Sequence, residues 1–183
     1  MVFFIYIVQV ICTGKSKKQV IDQLQFMILS NNLKKSDIIT NCKAKDRWDL
    51  IDTMLDQAVK NKYVNPDDRE TIRKSLFDRE KSMSTGIGKG VAIPHCTNAK
   101  VDDIVIIMAL CKKGINFDAI DNLPVQIAIL LIVPKNKLTQ HIKTLANIAK
   151  IMNDDSLRED IINSKSADGI LKTIKQYENP QKK

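Results

Sequence analysis

The sequence predicts an α/β fold, a mixed sheet of about five strands flanked by helices on both faces. Two unbroken apolar runs, IVIIMAL at 104–110 and PVQIAILLIV at 124–133, have the character of strands covered on both sides. Segments with helical apolar spacing lie before, between and after the strands, and this alternation implies helices packed on a sheet. A third, shorter strand, VAI at 91–93, is bounded by a glycine-rich loop and a proline.

Taken in order, residues 1–12 (MVFFIYIVQVIC) are apolar and β-branched and read as a strand. The run is too short for a membrane-crossing helix, which needs about twenty apolar residues. It also lacks the basic start and small-residue cleavage site of a signal peptide. Thr13-Gly14-Lys15-Ser16 superficially resembles a phosphate-binding P-loop, but the required first glycine would fall at Gln9. Residues 18–29 then place Val20, Leu24, Met27 and Ile28 on one helical face.

A short strand is expected at 38–43, followed by Asp46 as N-cap of a helix with Trp48, Ile51, Leu55, Ala58 and Val59 facing the sheet. Asn65-Pro66-Asp67-Asp68 is a second helix start: asparagine caps, proline suits the first turn, and the acids oppose the dipole. Ile72 and Leu76 form that helix's buried edge, and Arg79 and Glu80 fall near its end. After the 104–110 run, Lys112-Lys113-Gly114 is expected to turn the chain and 116–122 to form a loop. A helix starting near Leu138 carries Leu138, Ile142, Leu145, Ala149 and Met152 inward, with His141 in its first turn. Two amphipathic helices follow, at 154–164 and 166–177, and then a frayed tail at 179–183.

The chemistry concentrates in residues 84–96, STGIGKGVAIPHC. Gly86, Gly88 and Gly90 permit left-handed backbone and close approach, and successive amides in such a loop can gather round an anion. Pro94 removes a backbone donor and so ends the strand or sets it at an edge, leaving His95 at a strand end. An imidazole with a pKa near 6.5 is roughly three-quarters neutral at pH 7 and can act as a nucleophile. Ser84 and Thr85 add hydroxyls beside the same loop.

Glu80, six intervening residues, Ile87-Gly88, two more residues and then Val91-Ala92-Ile93-Pro94-His95-Cys96 closely resemble the phosphohistidine signature of the phosphotransferase-system enzyme IIA domains, type 2, of the fructose, mannitol and nitrogen-regulatory kind. The resemblance covers about residues 33–178, leaving 1–32 as an N-terminal extension of unassigned role; Cys96 stands where the family more often has glycine. It implies His95 as phosphoryl acceptor, His141 as a second active-site histidine, and Arg79-Glu80 as the pair preceding the loop. Arg79, His141, Ser84, Thr85 and the amides of Gly86 and Gly88 are the expected phosphate ligands, with Glu80 supporting. The implied donor is the phosphorylated histidine carrier protein and the implied recipient a IIB component; the alternative is a nitrogen-regulatory protein that senses phosphorylation and binds target proteins.

The remaining composition fits a cytoplasmic protein of that kind. A formal charge of +8 could suggest a nucleic acid or an anionic surface. The lysines are scattered, however, and aromatics are only 5%, so no basic stripe interleaved with stacking rings is present. Cys12, Cys42, Cys96 and Cys111 show no CxxC spacing, which argues against a zinc ribbon or redox motif and for reduced thiols. His95, Cys96 and His141 lack an evident fourth metal ligand. No cofactor or metal is expected, no nucleic-acid partner, and contact with a membrane only indirectly, through a IIC permease.

Overall fold

The computed structural model of the chain describes residues 29–178, the side chains of 138–141 excepted. The strand expected at 1–12, nearly all of the helix at 18–29 and the tail at 179–183 lie outside the described residues. The first element is a helical turn, α1 (Leu29–Asn32), whose Leu29 and Ser30 amides donate to the Glu178 carboxylate at 2.6 and 2.9 Å.

A 3₁₀ turn at Lys35–Asp37 leads into β1 (Ile38–Ile39), shorter than the strand expected at 38–43. Asp46 caps α2 (Arg47–Lys60) by accepting from the Trp48 and Asp49 amides, as its position before the apolar face implies. Leu50, Ile51, Met54, Leu55 and Ala58 are buried along this helix. Removing each such leucine or isoleucine from water contributes about 1.5–3 kcal/mol. Asn65 caps as expected, but the turn it opens is 3₁₀ (Pro66–Asp68) before the chain widens into α3 (Arg69–Ser82).

The strands are β2 (Gly86–Gly88), β3 (Val91–Ala92), β4 (His95–Asn98), β5 (Val105–Ile115) and β6 (Val125–Pro134). They form a six-stranded mixed sheet in the order β1-β5-β6-β3-β2, with β4 also paired to β6. Both β3 and β4 run parallel to β6, β3 against Ile127 and Ala128 and β4 against Leu131 to Pro134, so they are successive pieces of one edge. Pro94 interrupts that edge without ending it, because the Leu131 amide still donates to the Pro94 carbonyl at 2.9 Å. His95 therefore lies at the joint between two strand segments, as the first residue of β4.

The turn expected at Lys112-Lys113-Gly114 is instead a register irregularity inside β5, between Leu110 and Ile115, with Gly114 at φ +72°. Gly114 accommodates the kink because its backbone is left-handed and a Cβ there would stand 2.7 Å from Pro124. After a 3₁₀ turn come α4 (Leu138–Ile151), α5 (Asp155–Asn163) and α6 (Ala167–Glu178). Of the face expected to point inward from α4, Met152 is buried and Leu145 and Ala149 pack against the core, whereas Ile142 is 54% exposed and Thr144, Ile148 and Ile151 are buried beside them.

Strand alternation divides the core into two layers. Ala92, Cys96, Ile107, Ala109, Leu130 and Ile132 face α2 and α3. Val91, Ile93, Ile106, Met108, Ile129 and Leu131 face α4 to α6. This explains why both long strands are apolar at nearly every position.

Candidate functional site

The site is assembled by the end of α3. Ile72, Leu76 and Glu80 are its buried residues, spaced by four, so the helix carries a carboxylate on the stripe it presents to the sheet. Glu80 is only 3% exposed, and a buried carboxylate is costly unless bonded. It accepts from the Thr85 amide at 3.2 Å and from the Thr85 hydroxyl at 2.6 Å. This ties the helix end to the first residue before β2. Thr85 in turn accepts from the Ile93 amide at 3.0 Å, which registers the loop against the segment leading to His95.

One position before Glu80, Arg79 stands at the margin of the stripe and reaches the ring. Its Nε donates to His95 Nε2 at 3.2 Å and its Nη1 to the Met83 carbonyl at 2.8 Å. The other ring nitrogen, Nδ1, lies 2.8 Å from the Ile93 carbonyl. A carbonyl only accepts, so Nδ1 carries the proton and the lone pair is on Nε2. The guanidinium and the half-buried imidazole are thus brought together as the sequence led one to expect.

The other expected phosphate ligands are distributed differently. The Ser84 hydroxyl donates to the Phe117 carbonyl at 2.6 Å and accepts from the Gly86 amide at 3.1 Å. The Thr85 hydroxyl is committed to Glu80. Gly86 pairs with Ala92 and Gly88 with Val91. At 3.3 Å per residue, Gly88 lies about 13 Å up the strand from His95.

The glycines serve the hairpin instead. Gly88 has φ +91°, and a Cβ on Gly86 would stand 2.7 Å from Ala119, closer than packing allows. At the hairpin tip the Lys89 amide donates to Asp121 at 2.6 Å, a carboxylate where an anion cradle would need to be vacant. The structure therefore does not bring Gly86 and Gly88 to His95. His141 lies in the first turn of α4, which follows the strand that β4 pairs with; its side chain is outside the described residues.

The loop expected at 116–122 is present, but neither its contact with Ser84 nor the part played by Arg47 was signalled by the sequence. Arg47 Nη1 lies 2.6 Å from the Asp118 carboxylate and donates at 3.3 Å to the same Phe117 carbonyl that Ser84 uses. Arg47 sits at the first turn of α2, where nothing in its local pattern separates it from a solvated cation. Beside the loop, Met83 is 70% and Ile120 83% exposed. Cys96, adjacent to His95, is buried, and burial pushes its thiol up to about 12, which leaves it unreactive. Among the described residues no group of His, Cys, Asp and Glu is placed to hold a metal, and no helix is long and apolar enough to cross a membrane.

Residues 31–177 match the family model described as "Phosphoenolpyruvate-dependent sugar phosphotransferase system, EIIA 2". A Bacillus subtilis protein named "PTS system fructose-specific EIIABC component" is 26% identical over 152 residues, 83% of this chain. The alignment spans only 24% of that protein's length. A crystal structure of the nitrogen regulatory protein IIA-Ntr from Neisseria meningitidis superposes with a TM-score of 0.74 at 26% identity, covering 81% of this chain and 99% of that one. The Escherichia coli mannitol enzyme IIA, solved as a complex with phosphorylated enzyme IIB, has a TM-score of 0.67 at 23% identity over 78% of this chain and 96% of that one, a likeness of fold.

Proposed function

Since the chain belongs to the EIIA type-2 family of the phosphoenolpyruvate-dependent sugar phosphotransferase system, we propose that it carries a phosphoryl group on His95 Nε2. The observation that carries this reading is the tautomer: Nδ1 faces the Ile93 carbonyl and Nε2 presents its lone pair under the Arg79 guanidinium.

The donor is the phosphorylated histidine carrier protein. Nε2 attacks phosphorus in line, forming the Nε2–P bond as the donor's N–P bond breaks and its lone pair returns to the donor imidazole. Such a transfer needs position and charge stabilisation more than acid–base chemistry. As Nε2 bonds phosphorus the ring gains positive character, and the Nδ1–H···O=C bond to Ile93 steadies it. Arg79 leaves the lone pair and turns its donors to the phosphoryl oxygens, which carry about two negative charges. The Met83 carbonyl keeps the guanidinium close during this exchange.

Glu80 is a positioning residue, holding the end of α3 to Thr85 and so setting Arg79 opposite His95. His141 supplies a second donor at the helix start, where the dipole favours an anion. Ser84 shapes the rim. Exposed Met83, Ile87, Ile120 and Leu123 supply apolar surface for a protein donor to cover.

The recipient is a IIB component of a sugar permease, supported by the Bacillus fructose relative and the mannitol IIA–IIB complex. The likeness to IIA-Ntr favours a second reading, a regulatory protein whose target binding depends on the phosphate at His95. Incubation with phosphoenolpyruvate, enzyme I and the histidine carrier should label the chain, and His95→Gln should abolish labelling while the fold persists. Subsequent loss of label to a candidate IIB protein supports the transport branch. Retained label, with a phosphate-dependent change in captured protein, supports the regulatory one. Labelling of folded His95→Gln would end both readings.

A further inference from the structure

A pair of cysteines lies outside the histidine site. Cys42 follows β1, and its amide donates to the Leu110 carbonyl at 3.0 Å. In a parallel pairing a residue's N–H goes to the carbonyl just before its partner, so this bond sets Cys42 opposite Cys111. The chain reaches that register with one residue to spare: Ile39 faces Ala109, and the step from 39 to 42 is taken against only two positions of β5. Both side chains pack in the same layer of the core, on the α2 side.

Neighbouring strands stand about 4.8 Å apart, inside the roughly 4.4–6.8 Å window of Cα separations that a disulfide accepts. The two thiols are free, Cys111 buried and Cys42 half-buried. Only the second of the pair is open to solvent.

We propose that Cys42 and Cys111 form a peroxide-responsive dithiol in which Cys42 is attacked first and Cys111 resolves it to a disulfide. In the first step the Cys42 thiolate takes one oxygen from hydrogen peroxide, giving Cys42–SOH and hydroxide; sulfur is oxidised and the O–O bond is reduced. In the second, Cys111 sulfur displaces that oxygen, the S–S bond forms, and the Cys111 proton leaves with it as water. The roles follow from the surroundings. The hydrogen bond from Cys111 lowers the Cys42 thiol to about 7, assisted by the Ala44 amide and opposed by burial and the Asp49 charge. Cys111, donating to Cys42 and buried, is pushed up and keeps its proton.

Cys96, the other described cysteine, is the built-in control, being buried with its thiol pushed up to about 12. The closure pins the segment before α2 to β5 and does not depend on the phosphohistidine reading.

The test uses the full chain, reduced and then exposed to hydrogen peroxide. Unreduced proteolysis should yield one linked peptide pair holding Cys42 and Cys111, reversed by dithiothreitol. In Cys111→Ala, dimedone should trap the Cys42 sulfenic acid at least tenfold faster than it labels Cys96, and in Cys42→Ser, Cys111 should stay reduced. Separate thiols at Cys42 and Cys111 after oxidation of the wild-type chain, or linkage through Cys12 or Cys96 instead, would overturn the proposal without recourse to either variant.

Discussion

Arg79 Nε donates to His95 Nε2 at 3.2 Å while the opposite ring nitrogen faces the Ile93 carbonyl at 2.8 Å, so the guanidinium rests on the lone pair assigned to attack. In the proposed transfer this resting contact is exchanged for one to phosphate. Arg79→Ala should slow phosphoryl uptake about 100- to 1000-fold, the usual loss for one charge-stabilising donor. Arg79→Lys should recover only part, because an ammonium lacks the fork that bonds the Met83 carbonyl and a phosphoryl oxygen together. Quenched-flow transfer from the phosphorylated carrier measures both, and wild-type rates in Arg79→Ala would remove this residue from the mechanism.

Glu80 should matter twice. Its carboxylate is buried and holds both the amide and the hydroxyl of Thr85. Glu80→Gln keeps the volume but loses the charge-assisted bonds, at a cost of about 1–3 kcal/mol in a urea titration. Uptake should fall as well, with Arg79→Ala adding less on this background than on wild type. Full additivity would show that Glu80 acts on stability alone.

Gly86 tests the close approach of the hairpin to the 117–121 loop. A Cβ there would stand 2.7 Å from both Cα and Cβ of Ala119, and a backbone atom cannot swing aside. Gly86→Ala should destabilise by about 1–3 kcal/mol, read as a lower Tm. An unchanged Tm would mean that the loop yields freely.

Asp121 gives a pH signature. Its bonds from the Lys89 and Leu123 amides hold its carboxyl below the usual carboxylate range. A depressed folded pKa stabilises above the unfolded value of about 3.9 and is lost as pH falls through the folded one. Asp121→Asn should therefore lower the urea midpoint at pH 7, and the gap to wild type should narrow below about pH 4. A gap independent of pH would locate the effect elsewhere.

Much of this arrangement was legible in the residues. The two apolar runs announced doubly covered strands, Asp46 and Asn65 announced their helices, and the spaced pattern ending at His95 announced the family. What escaped depends on partners distant in sequence. Lys112 to Gly114 resembles a turn, yet Gly114 allows a kink and β6 continues alongside, so the strand runs on to Ile115. Pro94 lacks a donor but its carbonyl still binds Leu131, so the strand resumes at His95. Glycines at 86 and 88 are equally suited to cradling an anion or turning a hairpin, and only the register with Val91 and Ala92 separates the two. Nothing near Arg47 signals that Phe117 and Asp118 will meet it.

The most direct test of the whole account is the ring-nitrogen assignment in the phosphorylated chain, by ³¹P and ¹⁵N NMR after incubation with phosphoenolpyruvate, enzyme I and the histidine carrier. One phosphoryl group per chain, bonded to His95 Nε2 with Nδ1 still protonated, is the predicted result. Phosphate on Nδ1, or on any residue other than His95, would contradict it.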